Sequence, residues 1–375
     1  MKIVAVRTIP LQYRGERLER DALAVRFGAE HPMDVLLTEV VTDEGIVGIG
    51  EHYAYAALKT VSTAVHELVE PLILGEDPTQ IGRLWEKVYH VNFRLGRRGI
   101  LMCALSGVDI ALWDILGQVT GRPVASLLGQ WRRTVPAYVT GGYYQEGKGF
   151  EELRAELEDI VRRGFFGIKL KIGGEERAVD LKRLELVREV AGRHFFFGVD
   201  ANNALTFPEA LRWGRDLEAL GIDFFEEPIS TDQPELSARL AAALDVPIAG
   251  YETETGLYGM REFIVRGGVD IVQTDAIWVG GLTEARRVAE LGRAFGLPFI
   301  PHYSAGAVAL VANLHLAAAM PHALYQELHL RTNPLRDELL AEPLRVEAGH
   351  LVVPDGPGLG IRLNPDTIER YRVDR

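Results

Sequence analysis

The sequence predicts an α/β protein, a closed (β/α) barrel preceded by a small α+β domain. Three observations carry this. From about Val135 short apolar runs alternate with longer stretches of helical period. A strand–helix unit repeated in this way makes a parallel sheet, and eight such runs within about 190 residues fit closure into a barrel better than an open sheet. Before Val135 the order differs, with strands first and helices after.

Residues 2–9 alternate like a strand. Val35–Val41 runs through Thr42-Asp43-Glu44-Gly45 into Ile46–Gly50, a hairpin with Gly45 in the turn. From about Ala57 to Leu116 the period becomes helical, and the helix Gly99–Leu116 stops in Gly-Gln-Val-Thr-Gly-Arg-Pro. Residues 1–130 therefore form the α+β domain. Residues 131–340 hold the barrel, with strand candidates at Ala137–Thr140, Gly167–Lys171, Phe195–Asp200, Phe224–Glu226, Ile248–Gly250, Ile271–Thr274, Phe299–Pro301 and Leu324–Glu327. Residues 341–375 read as strand, turn and short helix, a tail expected to pack back on the first domain.

Composition narrows the function. A net charge of −12 argues against a nucleic-acid partner. One cysteine, Cys103, excludes an intrachain disulfide. The amino terminus has no signal-peptide pattern, and no apolar run is read as a membrane span. A soluble cytoplasmic protein acting on a small molecule is the expectation.

Ionisable residues end seven consecutive barrel strands: Lys169 and Lys171, then Asp200, Glu226, Glu252, Asp275, His302 and Glu327. From Lys171 onward the spacings are 29, 26, 26, 23, 27 and 25, each about one βα unit. Any one of these carboxylates alone reads as a helix cap or a solvated charge. The whole register instead aims at one point, because the carboxyl ends of barrel strands form the active-site mouth.

Asp200, Glu226 and Glu252 offer oxygen ligands without Cys or His, a set for a hard cation, Mg²⁺ first and Mn²⁺ second. Glu227 competes with Glu226, and the equal spacing of 26 favours Glu226. Only seven of the 41 basic residues are lysines, and none follows Lys182. An i, i+2 lysine pair ending a buried strand is therefore informative, and, beside each other and near a metal, at least one member is expected to have a depressed pKa and to act as a base near neutral pH. Asp275 beside His302 fixes its tautomer and raises its basicity, making a second acid/base. Glu327 closes the ring.

These residues resemble the enolase superfamily, and within it the mandelate racemase subgroup. The resemblance spans essentially the whole chain. It implies a modified TIM barrel, (β/α)7β, with an N-terminal α+β capping domain completed by the C-terminal segment. It also implies Mg²⁺-assisted abstraction of the proton α to a carboxylate, giving an enediolate. Carried over, Lys171 is the base on one face, Lys169 neutralises the enolate oxygen, and His302 tuned by Asp275 serves the other face. Glu327 hydrogen-bonds the substrate carboxylate, and Asn202 falls at a position near substrate or metal in relatives. The related subgroup with a lysine on the sixth strand is disfavoured, because here that strand reads VDIVQTDAIWVGG. Relatives are dimers to octamers, so a homo-oligomer is implied.

The Lys/His pair serves two reactions. If His302 protonates a departing β-hydroxyl the enzyme is an acid-sugar dehydratase giving a 2-keto-3-deoxy acid, the commoner activity of the subgroup. If it protonates the opposite face the enzyme is a racemase or epimerase. A metal-binding pseudoenzyme is a third reading, opposed by the filled catalytic positions. The segment YRGERLERDALAVRFGAEHP falls where relatives carry a specificity loop. Its Arg14, Arg17, Arg20 and His31 suit a polyhydroxylated acid or a diacid. Tyr53, Tyr55, Tyr143 and Tyr144 are candidates for the pocket wall, with Asn202, Tyr144 and Arg17 as substrate contacts.

Overall fold

The computed structural model describes residues 1–15, 19–29 and 32–374. Arg17 and His31 lie outside the described residues. The cap opens with β1 (Ile3–Tyr13), α1 (Ala22–Phe27), β2 (Met33–Thr42) and β3 (Val47–His52), the strands pairing antiparallel in the order β1-β2-β3. The strand β2 has apolar residues on both faces, at Val35–Leu37 and Val40–Val41, because both its faces are covered. Leu36 and Val40 pack on the cap helices, while Val35 and Leu37 join the barrel core.

The cap helices follow: α2 (Leu58–Ala64), a π-helical turn (Val65–Val69), α3 (Glu70–Ile73), α4 (Ile81–Val91), α5 (Ile100–Thr120) and α6 (Val124–Leu128). By length and composition α5 is apolar enough to cross a membrane, which corrects the sequence reading that no run approaches this. It is a core helix, with 83% of its most apolar 18-residue window buried. It lies so close to β3 that a Cβ on Gly50 would stand 1.8 Å from the Gly107 carbonyl oxygen.

The barrel runs β4 (Thr134–Gly141), α7 (Phe150–Arg162), β5 (Gly167–Lys171), α8 (Arg177–Ala191), β6 (Phe196–Asp200), α9 (Phe207–Ala219), β7 (Phe224–Glu226) and α10 (Pro234–Ala243). It continues with β8 (Ile248–Gly250), α11 (Leu257–Arg266), β9 (Ile271–Val272), α12 (Gly281–Ala294), α13 (Ala307–Ala319) and β10 (Gln326–His329). Strands β4 to β9 pair in parallel and in order, and β10 pairs with β4 to close the ring. The seventh stave, expected at Phe299–Pro301, is reduced to bridges from Phe299 to Val272 and Ala323. Counting it, seven helices separate eight staves, the (β/α)7β barrel that the resemblance implied. Tyr138, Phe224, Ala249, Ile271 and Ile300 plug the barrel's interior. Gly198 makes room for the Phe224 ring, whose nearest atom would lie 2.0 Å from a Cβ there.

The tail divides between the two halves. After α14 (Pro334–Asp337), β11 (Val346–Glu347) and β12 (His350–Val352) form a hairpin on the amino end of β4, at Thr134–Pro136. Those residues precede the register in which β4 pairs with β5 and β10, so the hairpin takes up backbone groups left over there. The cap is rejoined further along: Gly358 bridges Pro123, and Val373 N–H donates to Pro10 O beyond α15 (Pro365–Tyr371).

Three buried carboxylates of the cap hold backbone amides of the barrel and tail. Glu51 accepts from Gly306 N (2.7 Å) and Ala309 N (2.8 Å), at the start of α13. Asp109 accepts from Thr283 N (2.9 Å) in the first turn of α12. Asp114 joins Ile49 N (2.9 Å) to Leu359 N (2.7 Å).

Candidate active site

Parallel register sets the site. Lys171 stands beside Asp200 on the neighbouring strand, and Asp200 beside Glu226 on the next. Glu252 arrives two residues after β8, and one ligand oxygen from each of Asp200, Glu226 and Glu252 lies within 4.8 Å of the others. Glu226, not Glu227, belongs to this cluster. The neighbouring Glu227 turns aside with φ 39° and accepts from Asn203 Nδ2 (2.6 Å) and Thr253 N (3.2 Å).

The cluster fits a hard divalent cation. All three carboxylates are buried, and their donors are oxygens only. Glu252 Oε2 is buried without a hydrogen-bond partner. Burial, together with Asp200, Glu252 and Glu327, outweighs Lys169 and pushes the Glu226 carboxyl well above the ordinary glutamate value. Three carboxylates forced together in this way want positive charge among them.

Lys169 contacts Glu226, lies 2.9 Å from Glu327 and 3.7 Å from Asp200, and is fully buried. Lys171 Nζ donates to Asp200 Oδ2. Burial pulls both lysines down. For Lys169 the charges of Glu226 and Glu327, and for Lys171 that of Asp200, more than offset burial, so both are held above the usual lysine value. The carboxylates that hold the two ammoniums include Asp200 and Glu226 of the cation cluster, and the depressed lysine is expected where a metal ion shares those carboxylates.

On the opposite wall His302 Nδ1 lies 3.0 Å from Asp275 Oδ2, and Nε2 lies 3.6 Å from Glu252 Oε1. Burial lowers its pKa, but Glu252, Glu327 and Asp275 raise it to about 10. Glu327 accepts from Thr140 Oγ1 and Tyr303 N (3.0 Å). Burial pushes its carboxyl up, but Lys169 and His302 hold it well below the usual range, so it is ionised here.

A cleft of about 350 Å³ opens over these groups. Lys171, Asn202, His302 and Glu252 line it, with Tyr53, Tyr55 and Tyr143 on its walls. Asn202 has φ 46° and donates N–H to Asp200 Oδ1 (2.7 Å) and Nδ2–H to Asp200 Oδ2 (3.2 Å). Tyr144 is elsewhere. Its hydroxyl is 2.9 Å from Asp180 and receives Gly174 N–H, so it braces the loop after β5 behind the site. From the arginine-bearing cap segment, the described residues that line the cleft are the acids Glu19 and Asp21 and the apolar Leu23, Ala24, Phe27 and Ala29, with no arginine among them.

Sequence reasoning missed several supports. Gln273 Nε2 donates to Glu226 Oε2 (2.7 Å) and Asn313 Nδ2 to Asp275 Oδ1 (2.8 Å). Trp278 stacks on Tyr53 at 3.7 Å between centroids and shares the cleft wall with Arg331 and Ser304. Gln273 could have been found two residues before Asp275 on the same strand face, whereas Asn313 sits inside a helix with no local signal.

The whole chain has known counterparts. Residues 13–129 match the family model described as mandelate racemase / muconate lactonizing enzyme, N-terminal domain, and residues 152–367 match the one described as enolase C-terminal domain-like. An arabinonate dehydratase of Saccharolobus solfataricus is 48% identical over 367 residues, covering 98% of either chain. A D-galactarolactone cycloisomerase of Agrobacterium fabrum is 36% identical, covering 100% of this chain and 99% of its own. Among solved structures, a lysine-to-alanine mutant of L-talarate/galactarate dehydratase liganded with Mg and L-glucarate superposes with a TM-score of 0.89. It is 30% identical and is matched over 99% of this chain and 92% of its own. The chain belongs to the mandelate racemase / muconate lactonizing enzyme family of the enolase superfamily, in its mandelate racemase subgroup.

Proposed function

We propose that the protein is a Mg²⁺-dependent acid-sugar dehydratase whose substrate is an aldonate of the arabinonate kind. The observation that carries this is the opposition of Lys171 and His302 across one cleft, above the Asp200–Glu226–Glu252 cluster. The full-length similarity to an arabinonate dehydratase supports dehydration over racemisation.

Asp200, Glu226 and Glu252 would hold the ion. When bound, Mg²⁺ supplies positive charge that offsets these carboxylates, favours a neutral Lys171 and stabilises negative charge developing on a substrate carboxylate. Lys171 Nζ, unprotonated, removes the proton from C2, and Lys169 stabilises the enediolate oxygens through its ammonium. Nδ1 of His302 is tied to Asp275, so Nε2 carries the exchangeable proton into the cleft. That proton goes to the C3 hydroxyl, the C3–O bond breaks, and water leaves. The resulting enol ketonises to the 2-keto-3-deoxy acid, so the net change is loss of one water.

The test is a set of aldonic and aldaric acids with Mg²⁺ in D₂O, read as 2-keto acid by semicarbazone absorbance and as deuterium at C2 by NMR. Keto acid from an aldonate is the expected result. Deuterium at C2 with inversion of that carbon, and without keto acid from any substrate, would instead establish epimerisation.

A further inference from the structure

Two of the cleft's cations have carboxylate partners, Lys171 with Asp200 and His302 with Asp275. Arg331 differs. Among the described residues its guanidinium is in no ion pair, its Nε is buried without a hydrogen-bond partner, and Nη2 reaches only Ser304 Oγ at 3.4 Å. It lies two residues past β10 and continues the alternation of Glu327 and His329.

Its place is nonetheless built. The guanidinium carbon sits 5.2 Å from the centroid of the Tyr143 ring, and Lys171 Nζ is 5.4 Å from the same ring. Tyr143 cannot swing, because its hydroxyl is 2.9 Å from His329 Nδ1 while His329 Nε2 is 2.5 Å from the Tyr303 carbonyl. That carbonyl requires Nε2–H, so Nδ1 accepts and Tyr143 donates. Arg336 Nη2 holds the Arg331 carbonyl at 3.0 Å. A held guanidinium with an unused N–H, facing the cleft beside the proposed base, is a donor set waiting for oxygens of a substrate.

Which oxygens follows from charge. Glu19 and Asp21 line the same cleft, and the charge of Arg331 acts on Glu19. A second substrate carboxylate would meet these two acids. A hydroxylated, uncharged tail can accept from Arg331 and donate to Glu19.

Resting on the dehydratase reading, we propose that Arg331 is a specificity-determining residue that binds the hydroxyls beyond C3 of an aldonate with an uncharged tail. Arg331→Gln is compared with the unaltered enzyme on arabinonate and on glycerate, which has the reacting carbons and no tail. Turnover and C2 proton exchange in D₂O are followed for both acids. The variant is expected to lose about 10- to 100-fold in kcat/KM on arabinonate, to stay within about twofold on glycerate, and to keep its Mg²⁺ affinity and melting temperature. Equal losses on both acids, or none on arabinonate, overturn the assignment. If the unaltered enzyme dehydrates no aldonate, the dehydratase reading has failed by itself, and calorimetric binding of arabinonate with Mg²⁺ decides on Arg331. Weaker binding by the variant then sustains the assignment, and unchanged or absent binding overturns it.

Discussion

Asp275 Oδ2 lies 3.0 Å from His302 Nδ1, while its other oxygen is held by Asn313 Nδ2 at 2.8 Å and Ile277 N at 3.1 Å. The carboxylate is thus fixed from behind and can orient the imidazole in one way only. Asp275→Asn would present an amide N–H to a ring nitrogen that must donate. We expect kcat to fall by about 10²-fold or more with little change in Mg²⁺ affinity. A steady-state assay with metal titration checks both.

Lys171→Ala and His302→Asn should each lower dehydration by at least ~10³-fold. They should separate in D₂O. His302→Asn retains the base and should still exchange the C2 proton, whereas Lys171→Ala should not. Full dehydration by both variants would remove the two-sided mechanism.

Glu252→Gln removes the carboxylate with a buried, unpartnered oxygen. Calorimetry should show Mg²⁺ binding weakened by about 10²-fold, and dialysis against a chelator should abolish turnover until Mg²⁺ is restored. Activity in metal-stripped protein would defeat this reading.

Burial pushes the Asp109 carboxyl up to about 7 against the bonds from Thr283 and the charge of Arg287, with Glu284 adding to the rise. A carboxyl whose folded pKa exceeds its unfolded value binds its proton more tightly when folded. Its contribution is therefore full below the unfolded value of about 3.8 and is lost as pH rises through about 7. The melting temperature should fall across that window, and in Asp109→Asn the fall should be smaller. An asparagine can still accept from Thr283 N and donate to Thr283 Oγ1. Differential scanning calorimetry at pH 4 to 8 measures the difference, on the order of a few kcal/mol.

Gly50→Ala should destabilise by about 3 kcal/mol or more, because its Cβ would collide with backbone of α5 rather than with a movable side chain. A thermal melt of the purified variant, or its failure to accumulate, reads this out.

Much of the barrel was legible because its signals are local. Gly167–Lys171, Phe224–Glu226 and Ile248–Gly250 have the same limits in sequence and structure. Their polar ends keep register, since each βα unit has nearly constant length. Phe299–Pro301 was read as a full strand, but only Phe299 forms bridges. The α1 helix, capped by Asp21, was hidden among the charges around it. The ion pairs of the two lysines were hidden for a different reason. The pattern showed two like charges side by side, and only the fold shows Glu226, Glu327 and Asp200 in contact with them. Arg331 carried no signal, since its importance lies in what it does not touch.

The amides held by Glu51, Asp109 and Asp114 come from residues 306, 309, 283 and 359, far along the chain from the acids that take them. Substrate preference is the property one would most like to transplant between relatives, by joining the cap of one to the barrel of another. A graft made at the linker near residue 130 would separate every one of these acids from its amide in the barrel or tail. A successful chimaera therefore has to inherit both halves of each pair. The recombination points that respect this lie within matched loops, with residues 283, 306 to 309 and 359 travelling together with the donor cap.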